Sequence, residues 1–217
     1  LSVERIMRIA KEDAMAPSDL VNLSAVDLRR MIGAKQVSPV EVLEASIAQI
    51  ERYNPAVNAI CATDYDRARD QARQDEQAVM DGEELGIIHG LPCGVKDLQN
   101  TGGLLTTHGS PQHKNDIPAA DELCVARVRE SGGNVFCKTN TPEFGAGSNT
   151  RNRVWGATGN PFDPMKNAGG SSGGASSAGA AGMGPVHHGN DIAGSLRIPA
   201  SACGLATVQS GLGRVPA

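Results

Sequence analysis

From Asn167 to Pro199 the chain reads N-A-G-G-S-S-G-G-A-S-S-A-G-A-A-G-M-G-P-V-H-H-G-N-D-I-A-G-S-L-R-I-P. Two serine-bearing, glycine-rich turns lie close together here, joined by a short apolar link. The first carries Ser171 and Ser172 between Gly169-Gly170 and Gly173-Gly174. The second carries Ser195, preceded by Asp191 and Gly194 and followed by Arg197 and Pro199. Glycine permits backbone conformations that a side chain forbids, and it allows close approach to the main chain. Successive turn N–H groups then converge on one point, an arrangement suited to an anion or a developing oxyanion. With serine hydroxyls beside those donors, this stretch is the candidate functional site.

The remaining composition narrows the partners. At 217 residues, 40% hydrophobic and 20% charged, the chain has material for one sizeable core. A net charge of −4 argues against nucleic acid or an anionic membrane as the main partner, and 3% aromatic residues leave few platforms for base stacking. The five cysteines (Cys61, Cys93, Cys124, Cys137 and Cys203) lack C-x-x-C spacing. They read as free, mostly buried thiols in a reducing compartment, so a cytoplasmic location is expected. No apolar run approaches the ~18 residues needed to span a bilayer. The opening L-S-V-E-R-I-M-R-I-A-K carries no signal-peptide core. The chain does not begin with Met and its end, G-L-G-R-V-P-A, stops in mid-pattern, so both ends read as cut.

Helix and strand signals alternate along the chain. Ile6, Ile9 and Ala10 give residues 1–20 a weakly amphipathic helical face. Ser24 with Asp27 resembles a capping box ahead of Leu28, Met31 and Ile32, and Gly33 closes that helix. Ser38-Pro39-Val40-Glu41 is a fuller start signal, with Val40, Leu43, Ile47 and Ile50 following at helical spacing and Asn54-Pro55 as the stop. A short strand is expected over 57–62. A charged helix follows over 64–80, with Ala68, Ala72 and Val79 inward and Asp81-Gly82 closing it. After Gly86, G-I-I-H-G-L-P-C-G-V-K-D gives two short apolar pieces around a turn. Further on, 98–117 reads as loop, 118–130 as a helix burying Leu123, Ala126 and Val128, and 134–138 as a strand. Residues 139–165 are loop-rich, 173–183 form a tightly packed helix, and 185–188 form a short strand. The alternation predicts an α/β fold with a largely buried sheet and no clear domain boundary.

Serine is a poor nucleophile without a base. G-x-S-x-G occurs at Gly169-Ser171-Gly173 and again at Gly170-Ser172-Gly174, the pattern of a nucleophile elbow. An elbow enzyme needs Asp and then His downstream, yet His187 and His188 precede the only downstream Asp, so an α/β-hydrolase-type esterase would need its histidine in a missing segment. Lysine is the other base. Lys96, in Gly94-Val95-Lys96-Asp97, ends an apolar strand-like piece, where burial would bring its amine toward neutrality. The plainer alternative is a surface lysine paired with Asp97. Two other readings stay open: a glycine-rich phosphate- or nucleotide-binding module, although G-G-S-S-G-G lacks the G-K-[ST] ending, and a thiol hydrolase using Cys93, which lacks a histidine partner.

The run G-V-K-D, then G-G-S-S-G-G-A, then G-N-D-I-A-G-S-L-R-I-P-A resembles the amidase signature family in order and spacing, including the interval from Ser171 to Ser195. K-T-N-T-P-E-F-G (138–145) and N-P-F-D-P (160–164) share that texture. The resemblance runs from about Ser24 to the last residue. It implies a central mixed β-sheet covered by helices on both faces, in a single amidase domain over 1–217 that is incomplete at its C-terminus. The helical region would occupy about 1–82 and the signature core about 86–217. It implies hydrolysis of a carboxylic amide with Ser195 as nucleophile, Ser171, in a cis peptide, as proton relay, and Lys96 as base. The N–H groups of Ile192, Ala193, Gly194 and Ser195 would form the oxyanion hole, with Gly145 meeting the substrate amide and Asp191 and Arg197 bracing the turn. No metal or organic cofactor is implied. The partners would be a small-molecule amide and the remaining C-terminal half of the enzyme, with self-association into a homo-oligomer left open.

This chain departs from the family pattern in three places. Ala193 stands where a second glycine is usual, Ala206–Arg214 reads A-T-V-Q-S-G-L-G-R in place of G-L-K-P-[ST]-x-G-R, and His187-His188 occupies a strand that usually holds small apolar residues. Adjacent strand residues face opposite sides, so the two histidines are expected to pack rather than share a metal. The later strands and much of the substrate pocket of that family lie beyond residue 217, and which amide would be taken is left open.

Overall fold

The computed structural model describes residues 17–211 and 213–215; the expected helical face of Ile6, Ile9 and Ala10 lies outside them. Helices α1 (Pro17–Leu20), α2 (Ala25–Gly33) and α3 (Pro39–Val57) open the described part, followed by strand β1 (Ile60–Thr63) and helix α4 (Tyr65–Asp81). Strand β2 (Pro92–Lys96), helix α5 (Leu123–Glu130) and strand β3 (Asn134–Thr139) follow. Four short strands come next: β4 (Arg151–Asn152) with β5 (Gly156–Ala157), and β6 (Gly159–Asn160) with β7 (Asp163–Asn167). Helix α6 (Gly173–Ala180), strand β8 (Val186–His188) and helix α7 (Arg197–Cys203) complete the series.

The central sheet has the order β1-β3-β2-β8. β1 runs antiparallel to β3, whereas β2 is parallel to both β3 and β8. This is the mixed sheet anticipated above, with helices on both faces. Val135 joins Cys93, Val95 and Val125 of α5 on one side. Its neighbour Phe136 packs on the other with Leu43, Ile47 and Ile50 of α3, Ala68 and Ala72 of α4, and Ala178 of α6. β2 and β3 are buried along their whole length, as parallel strands between helical layers must be. A third cluster ties α1, α2 and α3 together through Leu20, Leu28, Ile32 and Val42.

Local chemistry explains where the helices begin and end. Ser24 Oγ accepts from the Asp27 N–H at 3.1 Å and donates to the Asp27 carboxylate at 2.7 Å. At α3 the capping box closes in both directions: Ser38 Oγ accepts from the N–H of Val40 and Glu41, while Glu41 Oε2 accepts from the Ser38 N–H at 2.8 Å. Gly82 ends α4 with φ 75°, a conformation glycine adopts without strain.

Three expectations need correction. Helix α3 does not stop at Asn54-Pro55 but continues to Val57, with Asn58 as its left-handed cap. The Asn54 side chain accepts from the N–H groups of Ala59 and Ile60 and donates to Ile60 O, which sets the exit beyond the proline. Helix α5 starts at Leu123 rather than Pro118, because the preceding residues pair with the 100–103 loop: Gly103 N–H donates to Pro118 O, and Gly102 N–H to Asp121. Its buried residue is Val125, while Leu123 is 50% exposed.

Candidate active site

Strand β2 delivers Lys96 to the C-terminal edge of the sheet. The side chain is fully buried, and its Nζ lies 2.7 Å from Ser171 Oγ, 3.0 Å from Ser172 Oγ and 2.6 Å from Asn190 Oδ1. Burial disfavours the ammonium and brings its pKa from 10.5 down to about 7; the negative charge of Asp191 opposes the shift without cancelling it. The surface-lysine alternative is therefore excluded. Asp97 turns away from Lys96: its carboxylate accepts from the Thr107 N–H at 2.8 Å, the Thr107 hydroxyl and the Trp155 indole.

The first turn brings Ser171 to Lys96 through a cis Gly170–Ser171 peptide. Glycine is required on its approach. A Cβ at Gly169, where φ is 79°, would sit 2.8 Å from Pro199 Cα, and one at Gly170 would sit 2.8 Å from Asn149 N. The two turns are stitched together where the Ser172 N–H donates to Ser195 O at 3.0 Å. Helix α6 then leaves the turn. Its first N–H groups are already used, that of Gly173 by Thr150 Oγ1 and that of Gly174 by Asn140 O. A phosphate at this helix start would compete with those acceptors for its first two N–H groups, which weakens the phosphate-binding reading.

The second turn is built around Asp191. Its carboxylate accepts from the N–H groups of Gly194, Leu196 and Arg197 and from the Arg197 guanidinium. Led by the guanidinium, these donors hold the carboxyl well below the usual range. One consequence corrects the expected set of four oxyanion donors. The Gly194 N–H is committed to Asp191 Oδ1 at 2.6 Å, whereas those of Ile192, Ala193 and Ser195 have no acceptor among the described residues. An aspartate three residues ahead of a glycine, at Asp191 and Gly194, is the sequence signal for such a side-chain turn.

A cavity of about 290 Å³ opens between the turns, lined by Leu98, Phe144, Gly145, Ser171, Ile192 and Ser195 among others. It gathers the residues predicted to react or to meet the substrate, except Lys96, which bonds Ser171 from outside the lining, and Gly194; the bracing pair Asp191 and Arg197 also lies outside the lining. Gly145, with φ 71°, faces Leu98 so closely that a Cβ would fall 2.8 Å from Leu98 Cδ2 and 3.7 Å from Ser171 Oγ. Ser195 is half-buried in the cavity wall, and no hydrogen bond joins its hydroxyl to that of Ser171 among the described residues.

Sequence reasoning missed Asn190 and Ser172 as partners of Lys96, and it missed a second buried lysine. Lys138, one residue before the end of β3 and in register with Val95, donates to Gln99 O and Thr101 Oγ1. Its position near the end of another apolar strand was the available signal. The Cys93 thiol is buried and pushed up to about 12, so it carries no thiolate at neutral pH. His187 packs against Gly94, where a Cβ would lie 2.3 Å from its Nδ1; burial pushes both His187 and His188 down to about 4. No group of three metal-binding side chains occurs among the described residues, nor is any helix there long and apolar enough to cross a membrane.

Known proteins resemble this chain in sequence and in fold. The model of the family described as Amidase matches residues 41–217. The chain is 39% identical over 202 residues to an acylamidase of Rhodococcus erythropolis, covering 93% of this chain and 42% of that protein. It is 40% identical over 194 residues to an indoleacetamide hydrolase of Bradyrhizobium diazoefficiens, covering 89% of this chain and 37% of that protein. Among solved structures, a bacterial aryl acylamidase of the amidase signature family superposes with a TM-score of 0.78 at 36% identity, over 82% of this chain and 37% of that one. The chain thus spans between 37% and 42% of the length of these relatives.

Proposed function

The chain belongs to the amidase family, and from that premise we propose that it is the N-terminal part of a single-domain amide hydrolase working through a serine acyl-enzyme. The observation that carries the reading is Lys96: fully buried, drawn toward neutrality, and 2.7 Å from the hydroxyl of Ser171.

Neutral Lys96 accepts the proton of Ser171 as Ser171 accepts that of Ser195. The Ser195 oxygen attacks the amide carbonyl carbon, and the carbonyl electron pair moves onto oxygen. That oxyanion would be met by the N–H groups of Ile192, Ala193 and Ser195, each such donor being worth ~3–4 kcal/mol of barrier. The relay then runs backward, so that Lys96 acts as the acid that protonates the departing amine. Water repeats the sequence on the ester. The two hydroxyls are not hydrogen-bonded to each other among the described residues, which is consistent with a relay that closes when substrate fills the cavity. Gly145, beside Ser171, presents main chain to the substrate amide. The acylamidase and the indoleacetamide hydrolase support a carboxylic amide as the bond cleaved.

A fluorophosphonate probe tests this directly, since it reports an activated serine without needing the natural substrate. Mass spectrometry is expected to find the adduct on Ser195, with labelling lost in Lys96→Ala. An adduct on another residue, or unchanged labelling in Lys96→Ala, would overturn the proposal.

A further inference from the structure

Lys96 has three hydrogen-bond neighbours, and a neutral amine cannot donate to all of them. It carries two N–H bonds and one lone pair, and only the lone pair can take a proton. Which neighbour faces that lone pair decides whether Lys96 can serve as a base.

The surrounding atoms answer this by elimination. Asn190 Oδ1, 2.6 Å away, is an amide oxygen and can only accept, so it takes one N–H. Ser172 Oγ, 3.0 Å away, spends its own proton on Asn190 O at 3.3 Å, so toward Lys96 it too can only accept. Both N–H bonds are then used. The lone pair is left for Ser171, whose hydroxyl is the remaining donor within reach at 2.7 Å.

On the strength of the acyl-transfer reading above, we infer that Asn190 is a positioning residue that aims the lone pair of Lys96 at Ser171. It does so twice, accepting one N–H through its side chain and, through its main-chain carbonyl, fixing the Ser172 hydroxyl so that it accepts the other. The reverse orientation of the amide would put an N–H against the lone pair and silence the base. Asn190 also lines the cavity, so it spans the buried amine and the space for substrate.

The other charged or titratable groups near Lys96 are committed elsewhere. Asp191 is held by Arg197 and three N–H groups, and Asp97 by Thr107 and Trp155. Lys138 donates to Gln99 and Thr101, and the His188 ring is kept neutral by burial. Asn190 is therefore the side-chain partner at which charge can be added beside the amine with least change of shape.

The test is a pair of variants read in two ways: nitrogen NMR of the Lys96 amine, assigned by its loss in Lys96→Ala, and the pH profile of Ser195 labelling. In Asn190→Asp a carboxylate faces the amine and favours the ammonium. The Lys96 midpoint is expected to rise by more than about one pH unit, and labelling near neutral pH to fall roughly tenfold or more and recover at higher pH. In Asn190→Leu the ammonium loses an acceptor, so the midpoint is expected to fall while the plateau rate drops roughly tenfold because the lone pair is no longer aimed. Opposite shifts support the inference. Midpoints equal to the unmutated protein in both variants, or moving in the same direction, overturn it. If the unmutated protein fails to label at Ser195, the acyl-transfer reading falls by itself, and the NMR shifts still decide the role of Asn190.

Discussion

His187 makes a measurable demand on stability. Its ring sits against Gly94, and both ring nitrogens are buried with no hydrogen-bond partner among the described residues. Burial holds its pKa at about 4, below the ordinary 6.5. The unfolded chain therefore binds a proton that the folded chain refuses, throughout the interval between those values. The stability this group contributes is complete above pH 6.5, is lost as pH falls toward 4, and changes little further below that. Integrating over the two values, the loss from this side chain between about pH 8 and about pH 5 is about 2 kcal/mol. A sizeable fraction of an ordinary folding free energy, that loss corresponds to a fall of about 1 M in the urea midpoint. The assay is urea unfolding at both pH values for the unmutated chain and for His187→Leu. Carboxylates and His188 titrate in both proteins, so the difference isolates His187. The variant is expected to lose about 2 kcal/mol less on acidification. An identical pH dependence, or a steeper one in the variant, would refute the claim that His187 is buried neutral.

Two further perturbations follow from the turns. Gly174→Ala adds a Cβ that would lie 2.2 Å from Asn140 N, 2.6 Å from Asn140 O and 2.7 Å from Ala59 O, all main chain that cannot rotate away; thermal unfolding is expected to fall by the equivalent of at least about 2 kcal/mol, and an unchanged melting temperature would contradict this packing. Arg197→Met removes the guanidinium from the buried Asp191 carboxylate while leaving three N–H donors, so the turn loosens without losing the fold; Ser195 labelling is expected to slow roughly tenfold or more with a small change in melting temperature, and full-rate labelling would show that the brace is dispensable.

What could be read from the sequence was mostly local. The start of α3 is written in four consecutive residues, because Ser38 and Glu41 satisfy each other's N–H groups across one turn. The alternation of apolar runs located β2, β3 and β8. What escaped depended on distant chain. Pro55 looked like a stop, but the Asn54 side chain reaches forward to Ala59 and Ile60 and moves the exit. The eight residues of α5 are too few for periodicity to choose between a face containing Leu123 and one containing Val125, and the choice falls to packing against β2 and β3. In the site, spacing alone presented Lys96 and Asp97 as a pair; the structure separates them, one to Ser171 and one to Thr107. The role of Asn190 was invisible because it depends on which atoms meet Lys96 from the far side of the sheet edge.

The most direct measurement is the rate of Ser195 labelling by a fluorophosphonate as a function of pH. If the base is the buried amine of Lys96, the rate rises about tenfold per pH unit on the acid side, bends at about 7 and is flat above, following the neutral fraction of that lysine. A rate that keeps climbing toward the ordinary lysine value of 10.5, or one indifferent to pH, would mean that Lys96 does not drive the serine.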